Sequence, residues 1–232
     1  MRQAVILAAG KGVRMLHLTK DIPKTLIDIN GKPFISYLLE NLKQAGYEKV
    51  YFIVGYKKEK QEKFFENNDF GMKIKLIHQK EQLGTGHAVS IVEPFVEGNF
   101  VLVVGDDLFS ANDLGNINFY DDYNYIYGLK HNDPKKFGVL VSDNDFLVEI
   151  EEKPKNPKTN LINSGLYKFT PEIFEALKEI EKSPRGEYEL TSAIDILAKK
   201  KKVKVKILKD YWIDFGRFED VPKVEKFIKE NF

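Results

Sequence analysis

The first half of the chain alternates short apolar runs with segments whose apolar residues recur every three or four positions. Gln3–Ala9 (QAVILAA), Lys49–Val54 (KVYFIV), Lys73–His78 (KIKLIH) and Asn99–Gly105 (NFVLVVG) read as strands. Lys32–Gly46, Lys57–Asn67 and Thr85–Phe95 lie between them and read as helices. In the first helix Ile35, Leu38, Leu39 and Leu42 share one face, and Gly46 suits the position that ends a helix. The first and fourth strands are nearly unbroken apolar runs, as in parallel strands covered on both faces. Strands alternating with helices predict a doubly wound α/β chain with a mixed, mainly parallel sheet.

After Asp106 the spacing changes. Tyr123–Lys130, Phe137–Asp143, Phe146–Glu152 and Asn163–Phe169 follow one another closely, and Asp143–Asp145 (DND) signals a hairpin turn. Helices over Pro171–Lys182 and Leu190–Lys200 come next. Lys201–Leu208 then alternates lysine with apolar residues, which predicts a strand with Val203, Val205 and Ile207 facing inward. Glu219–Phe232 reads as a last helix. No Pro/Ser-rich linker, repeat or low-complexity tract divides the chain, so one domain over 1–232 is expected, with halves 1–110 and 111–232 and the second carrying an inserted β region. No hexapeptide repeat is present, so a C-terminal left-handed β-helix is not expected.

Composition narrows the function classes. At 232 residues, 43% hydrophobic and 31% charged, the chain is globular in type. A formal net charge of +1 argues against a broad basic face for nucleic acid. The run Lys199–Lys202 reads as a solvated helix end. No apolar stretch approaches the roughly 20 residues of a membrane span, and no signal-peptide pattern opens the chain, so a cytoplasmic location and no membrane partner are expected. The absence of cysteine excludes disulfides, thiolate metal sites and cysteine nucleophiles. His17, His78, His87 and His131 lack metal-ligand spacing, and His87, in an early helical turn, reads as structural.

The chemistry begins at Val5–Met15, VILAAGKGVRM. Gly10 and Gly12 follow a strand and precede a cation, and glycines let backbone N–H groups approach an anion closely. Lys11 and Arg14 could neutralise phosphate charge, and Lys24 in DIPKTL follows on the same connection. Met15 stands where a dinucleotide fingerprint needs its third glycine, and no P-loop spacing occurs.

LAAGKGVRM…IPKTL…GKPFI (Leu7–Ile35) resembles the N-terminal signature of the sugar-1-phosphate nucleotidylyltransferases. QKEQLGTGHA (Gln79–Ala88), VGDD (Val104–Asp107), EEKP…NSGLY (Glu151–Tyr167), GEYELT (Gly186–Thr191) and WIDFG (Trp212–Gly216) agree with the family in order, nearly to the end of the chain. The resemblance implies a Rossmann-like nucleotide-diphospho-sugar transferase fold, with a nucleotide-binding half (1–110) and a sugar-binding half (111–232). It implies a reaction in which a sugar 1-phosphate attacks a nucleoside triphosphate, giving nucleotide sugar and pyrophosphate. The nucleophile is already anionic, so cations and positioning carry the catalysis.

By resemblance, Arg14, Lys24 and Lys153 are the catalytic cations. Leu7, Ala8, Ala9, Gly10, Gly12, Gln79, Gly84 and Thr85 contact the nucleotide; Gly138, Glu152, Asn163 and Glu187 contact the sugar. Asp106 and Asp214 are the expected ligands of Mg²⁺, which needs one or two carboxylates besides phosphate oxygens; Asp107 is the less favoured neighbour. EQLGTGHA is similar to the uridylyl branch, whereas WIDFG is closer to the thymidylyl pattern, so UTP is expected and dTTP remains open. Glucose 1-phosphate and N-acetylglucosamine 1-phosphate are the expected acceptors. Self-association into a homo-oligomer stays open, as do a catalytically silent nucleotide-sugar-binding regulator and transfer to a non-sugar phosphate. Two departures stand out: Val13 replaces the family's Thr or Ser, and Arg217-Phe218 replaces a common Thr-Pro.

Overall fold

The apolar runs of the first half become strands where the pattern places them. The structure is a computed structural model that describes residues 1–232. In chain order the first elements are β1 (Gln3–Leu7), β2 (Asp28–Ile29), β3 (Lys32–Pro33), α1 (Phe34–Gln44), β4 (Lys49–Val54), α2 (Lys58–Asn67), β5 (Lys73–His78), α3 (Thr85–Ser90), β6 (Phe100–Val104), β7 (Asp107–Phe109) and α4 (Ala111–Gly115). Then follow β8 (Asn124–Lys130), β9 (Gly138–Asp143), β10 (Phe146–Glu152), β11 (Leu161–Phe169), α5 (Glu172–Glu179), α6 (Leu190–Lys199), β12 (Val203–Ile207), β13 (Trp212–Asp214) and α7 (Val221–Asn231). They group into two compact units, one of Met1–Gln82, Val104–Ile117 and Asp210–Phe232, the other of Leu83–Val103 and Asn118–Lys209.

The first unit carries the wholly parallel strand set β5-β4-β1, in register from Gln3↔Lys49 to Leu7↔Ile53 and from Lys49↔Lys73 to Val54↔His78. Ala4, Val5, Ile6, Val50, Phe52 and Ile53 are fully buried, which is why these runs carry no alternation. α1 buries Phe34, Ile35, Leu38, Leu39 and Leu42. It ends in a Schellman motif: Gly46 (φ 83°) donates to Lys43, and Tyr47 to Leu42.

The second unit orders its strands β6-β11-β8-β12-β10-β9. β8 and β12 are parallel, while β6–β11, β11–β8, β12–β10 and β10–β9 are antiparallel. The chain therefore has the α/β, Rossmann-like class expected, with a parallel core and an added mixed β region. Asn144 (φ 45°) and Asp145 (φ 66°) form the β9–β10 turn with both central residues left-handed, as a type I′ hairpin requires. Lys168 on β11 is fully buried yet satisfied, donating to the carbonyls of Asp121 and Tyr123 (2.7 Å each) and to Asp121 Oδ1 (3.1 Å). Tyr125 donates its hydroxyl to the other Asp121 oxygen.

Two expectations are corrected. The helix read over Thr85–Phe95 ends at Ser90, beyond which i→i+3 turn bonds take over. Pro94 has no N–H to continue the α-helical ladder. Val203 and Val205 face inward as read, but Ile207 is 51% exposed. β12 ends there, and Leu208, whose N–H donates to Gly128, takes the buried place. Arg217-Phe218 leads into a single 3₁₀ turn, Phe218–Asp220, closed by Arg217 N–H donating to Asp220 (2.6 Å), and α7 follows with Pro222 in its first turn. No helix is long and apolar enough to cross a membrane.

Candidate active site

The glycine loop leaves the end of β1 already fixed by backbone bonds. Ala8 N–H donates to Ile53, Tyr56 N–H to Ala9, and Gly105 N–H to Leu7. Such close approach needs glycine on both flanks. A Cβ on Gly55 would lie 2.7 Å from the Ala9 carbonyl oxygen, and one on Gly105 would lie 2.8 Å from that of Leu7. Gly12 takes the left-handed conformation (φ 61°), and Thr19 donates its hydroxyl back to the Gly12 carbonyl (3.0 Å). Tyr56 holds the far end, donating to the carbonyls of Thr19 and Lys20. Gly10, Lys11, Val13 and Arg14 are left exposed at the tip. Gln79 is buried, its N–H bonded to Val54 at the end of β4.

Lys24 and three aspartates meet in the same unit. Lys24 is 8% exposed and pairs with Asp106 Oδ2 at 2.5 Å. β7 and β13 form a short antiparallel ribbon in which Asp107 lies opposite Asp214, and Phe215 N–H donates to the Asp106 carbonyl. Gly216 makes room for the Asp214 carboxylate, since a Cβ there would lie 2.6 Å from its Oδ1. Trp212 donates its indole N–H to Asp107 (3.0 Å).

Burial pushes the Asp107 carboxyl well above the usual carboxylate range, and the charges of Asp106 and Asp214 push it further. Burial also raises Asp214, with Asp106 and Asp220 adding to the shift and Lys24 and Arg14 opposing it. Mutual repulsion among buried carboxylates is relieved by a cation. No group of three or more His, Cys, Asp or Glu side chains is arranged to hold a metal ion by itself. Magnesium asks less of the protein, one or two carboxylates with phosphate oxygens completing the shell, and Asp106 and Asp214 fit that donor set.

The second unit gathers the residues read for the sugar. Gly138 pairs with Glu152 across the β9–β10 hairpin, and a Cβ on it would lie 3.3 Å from Glu152 Oε2 and 3.7 Å from Asn163 Cβ. Asn163 is oriented at both ends of its amide, donating to Tyr167 (2.7 Å) and accepting from Gly165 N–H (3.1 Å). Lys153 has a left-handed backbone (φ 45°), and its Nζ lies 3.4 Å from Glu152 Oε1. Gly84 and Thr85 are stitched to the GEYELT segment. Tyr188 N–H donates to Leu83, Gly86 N–H to Tyr188, and Leu190 N–H to the Thr85 hydroxyl (3.0 Å). Gly84 (φ 107°) has no room for a side chain, with Tyr188 O 2.5 Å from its Cβ position and Glu187 Cβ at 2.9 Å.

Several contributors escape a reading by motif. Gly55 follows an apolar run directly, a signal for close backbone approach. Arg185, just before GEYELT, is clamped by Glu189 through Nε (3.2 Å) and Nη2 (2.8 Å), and Glu189, with smaller contributions from Glu187 and Glu152, raises its pKa. Tyr56 and Thr19 gave no sequence signal.

A glycine loop after the first parallel strand, with cations on it and strand-end carboxylates in the same unit, is the kind of place where α/β proteins bind phosphoanions. The profile of the nucleotidyl transferase family matches residues 3–231, and the chain belongs to that family. It is similar to the bifunctional protein GlmU of Methanococcus aeolicus, 42% identical over 229 residues, 98% of this chain and 54% of that protein. The chain thus spans about half the length of such relatives. It is also similar to the UTP–glucose-1-phosphate uridylyltransferase AglF of Haloferax volcanii, 37% identical over 238 residues, 99% of this chain and 97% of that protein. A UDP-glucose pyrophosphorylase solved with UDP-glucose shares the fold, with a TM-score of 0.88 over the whole of both chains at 24% identity.

Proposed function

We propose that the protein transfers a nucleotidyl group from a nucleoside triphosphate to a sugar 1-phosphate, with UTP as donor and glucose 1-phosphate or N-acetylglucosamine 1-phosphate as acceptor. A phosphate oxygen of the sugar phosphate attacks the α-phosphorus, the bond to the β-phosphate oxygen breaks, and pyrophosphate leaves with that electron pair. The observation that carries the reading is the Lys24–Asp106 pair beside Asp214 in a loop system whose close backbone packing needs Gly55 and Gly105. A silent binding homologue would have no need to keep a buried lysine against a carboxylate cluster.

In this reading backbone from Leu7 to Gly12 receives the nucleotide, and Gln79, Gly84 and Thr85 read its base. Arg14 and Lys24 brace the triphosphate, with Arg14 stabilising the departing pyrophosphate. Glu152 and Glu187 accept hydrogen bonds from sugar hydroxyls, Asn163 donates to one, and Gly138 leaves the ring room. Lys153 pairs with the sugar phosphate. Asp106 and Asp214 would hold Mg²⁺, which when bound supplies charge neutralisation to the phosphate oxygens. The uridylyl donor draws support from AglF, named for UTP and matched over nearly its full length.

The test is pyrophosphate release across UTP, dTTP and other triphosphates with both sugar phosphates, in Mg²⁺ and in chelator. Release should need Mg²⁺ and be fastest with UTP; dTTP as the better donor would move the enzyme to the thymidylyl branch. No release from any pair, with Asp106→Asn binding UTP as the wild type does, would refute the reading.

A further inference from the structure

α2 is built mostly of charged residues, and the side chain it buries completely is a glutamine. Gln61 is 0% exposed, while Phe64 and Phe65 on the same helix stay half-buried. Its Nε2 donates to the carbonyl of Ala8 and to the hydroxyl of Thr25, each at 3.2 Å. Ala8 is where the glycine loop leaves β1. Thr25, itself 4% exposed, follows the lysine that holds Asp106. One amide thus ties the two limbs that the proposed function assigns to the nucleotide and to its phosphates.

The other half of the amide gains nothing. Gln61 Oε1 is buried without a hydrogen-bond partner. An unmet acceptor in the interior is costly, and it offsets what the amide gains by donating to Ala8 and Thr25. A glutamine kept for stability alone would be a poor choice here; one kept to set the spacing of two loops is a sound one. We infer that Gln61 is a positioning residue for the triphosphate, acting through Ala8 and the Lys24–Thr25 turn without touching substrate. The inference rests on the proposed function.

Gln61→Met keeps length and loses the donor. Its KM for the nucleoside triphosphate should rise about tenfold, the scale of one lost positioning hydrogen bond. KM for the sugar 1-phosphate should stay within about twofold, and Tm should shift by only a few degrees, because removing the orphaned acceptor offsets the Ala8 carbonyl left without its donor. Gln61→Leu likewise lacks the donor to the Ala8 carbonyl, and should raise the triphosphate KM as well. Wild-type kinetics in both variants would overturn the inference, as would a fall in Tm with both KM values rising together. A wild type that turns over no triphosphate would instead sink the proposed function.

Discussion

Val13 is the residue of the glycine loop that departs from its family's pattern, and it is 74% exposed at the tip. Its side chain contributes little to folding, so Val13→Thr should leave Tm unchanged while the added hydroxyl lowers KM for the triphosphate. Gly10 offers a contrast with Gly55. A Cβ on Gly10 meets nothing within 4 Å, so Gly10→Ala should fold normally and lose triphosphate affinity because its methyl intrudes where an anion must approach. Gly55→Ala forces backbone apart and should cost about 1–3 kcal/mol, or a few degrees in Tm, read by thermal denaturation. Asp106→Asn removes a charge from the carboxylate group and leaves Lys24 without its ion pair. The expected result is a loss in kcat of about a hundredfold with weakened Mg²⁺ binding by calorimetry.

Among elements, those with strong periodicity were legible in the sequence, and those set by tertiary contact were not. β1, β4 and the β9–β10 hairpin follow from apolar runs and from turn residues that tolerate positive φ. The β7–β13 ribbon did not show, because Asp107–Phe109 and Trp212–Asp214 are each three residues long and exist only by pairing. Yet that ribbon sets Asp214 opposite Asp107, beside Asp106, so the residues proposed for a metal acquire their geometry from an element no pattern announces. Gln61 was hidden for the opposite reason. A glutamine amid lysines and glutamates on α2 reads as solvated, and only the packed fold shows its burial.

The loop before β8 carries a pH-dependent prediction. Burial raises the Asp121 carboxyl, but hydrogen bonds from Tyr125 and Lys168 outweigh it, and its pKa lies below the ordinary value. A depressed carboxyl stabilises the fold above the unfolded value, near 4, and the benefit is lost as pH falls through the folded one. Asp121→Asn should therefore melt below the wild type at pH 7. The gap should close progressively in strong acid; a gap that does not change with pH would contradict this.

At the scale of the molecule, two compact units share one chain that passes between them after Gln82, Val103, Ile117 and Lys209. Motif order identified the family, but no linker or composition change marks these passages, because three fall between ordinary elements and the one after Val103 lies within β6. The residues proposed for substrate divide accordingly: the glycine loop, Lys24, Asp106 and Asp214 lie in the first unit, and Gly138, Glu152, Lys153 and Asn163 in the second. The most direct test of the proposed nucleotidyl transfer follows the label from UTP carrying ³²P at the α-position, incubated with glucose 1-phosphate or N-acetylglucosamine 1-phosphate and Mg²⁺. The label should appear in a nucleotide sugar of matching mass, with unlabelled pyrophosphate as the co-product; label found only in UMP or UDP, with the sugar phosphate unconsumed, would contradict the transfer.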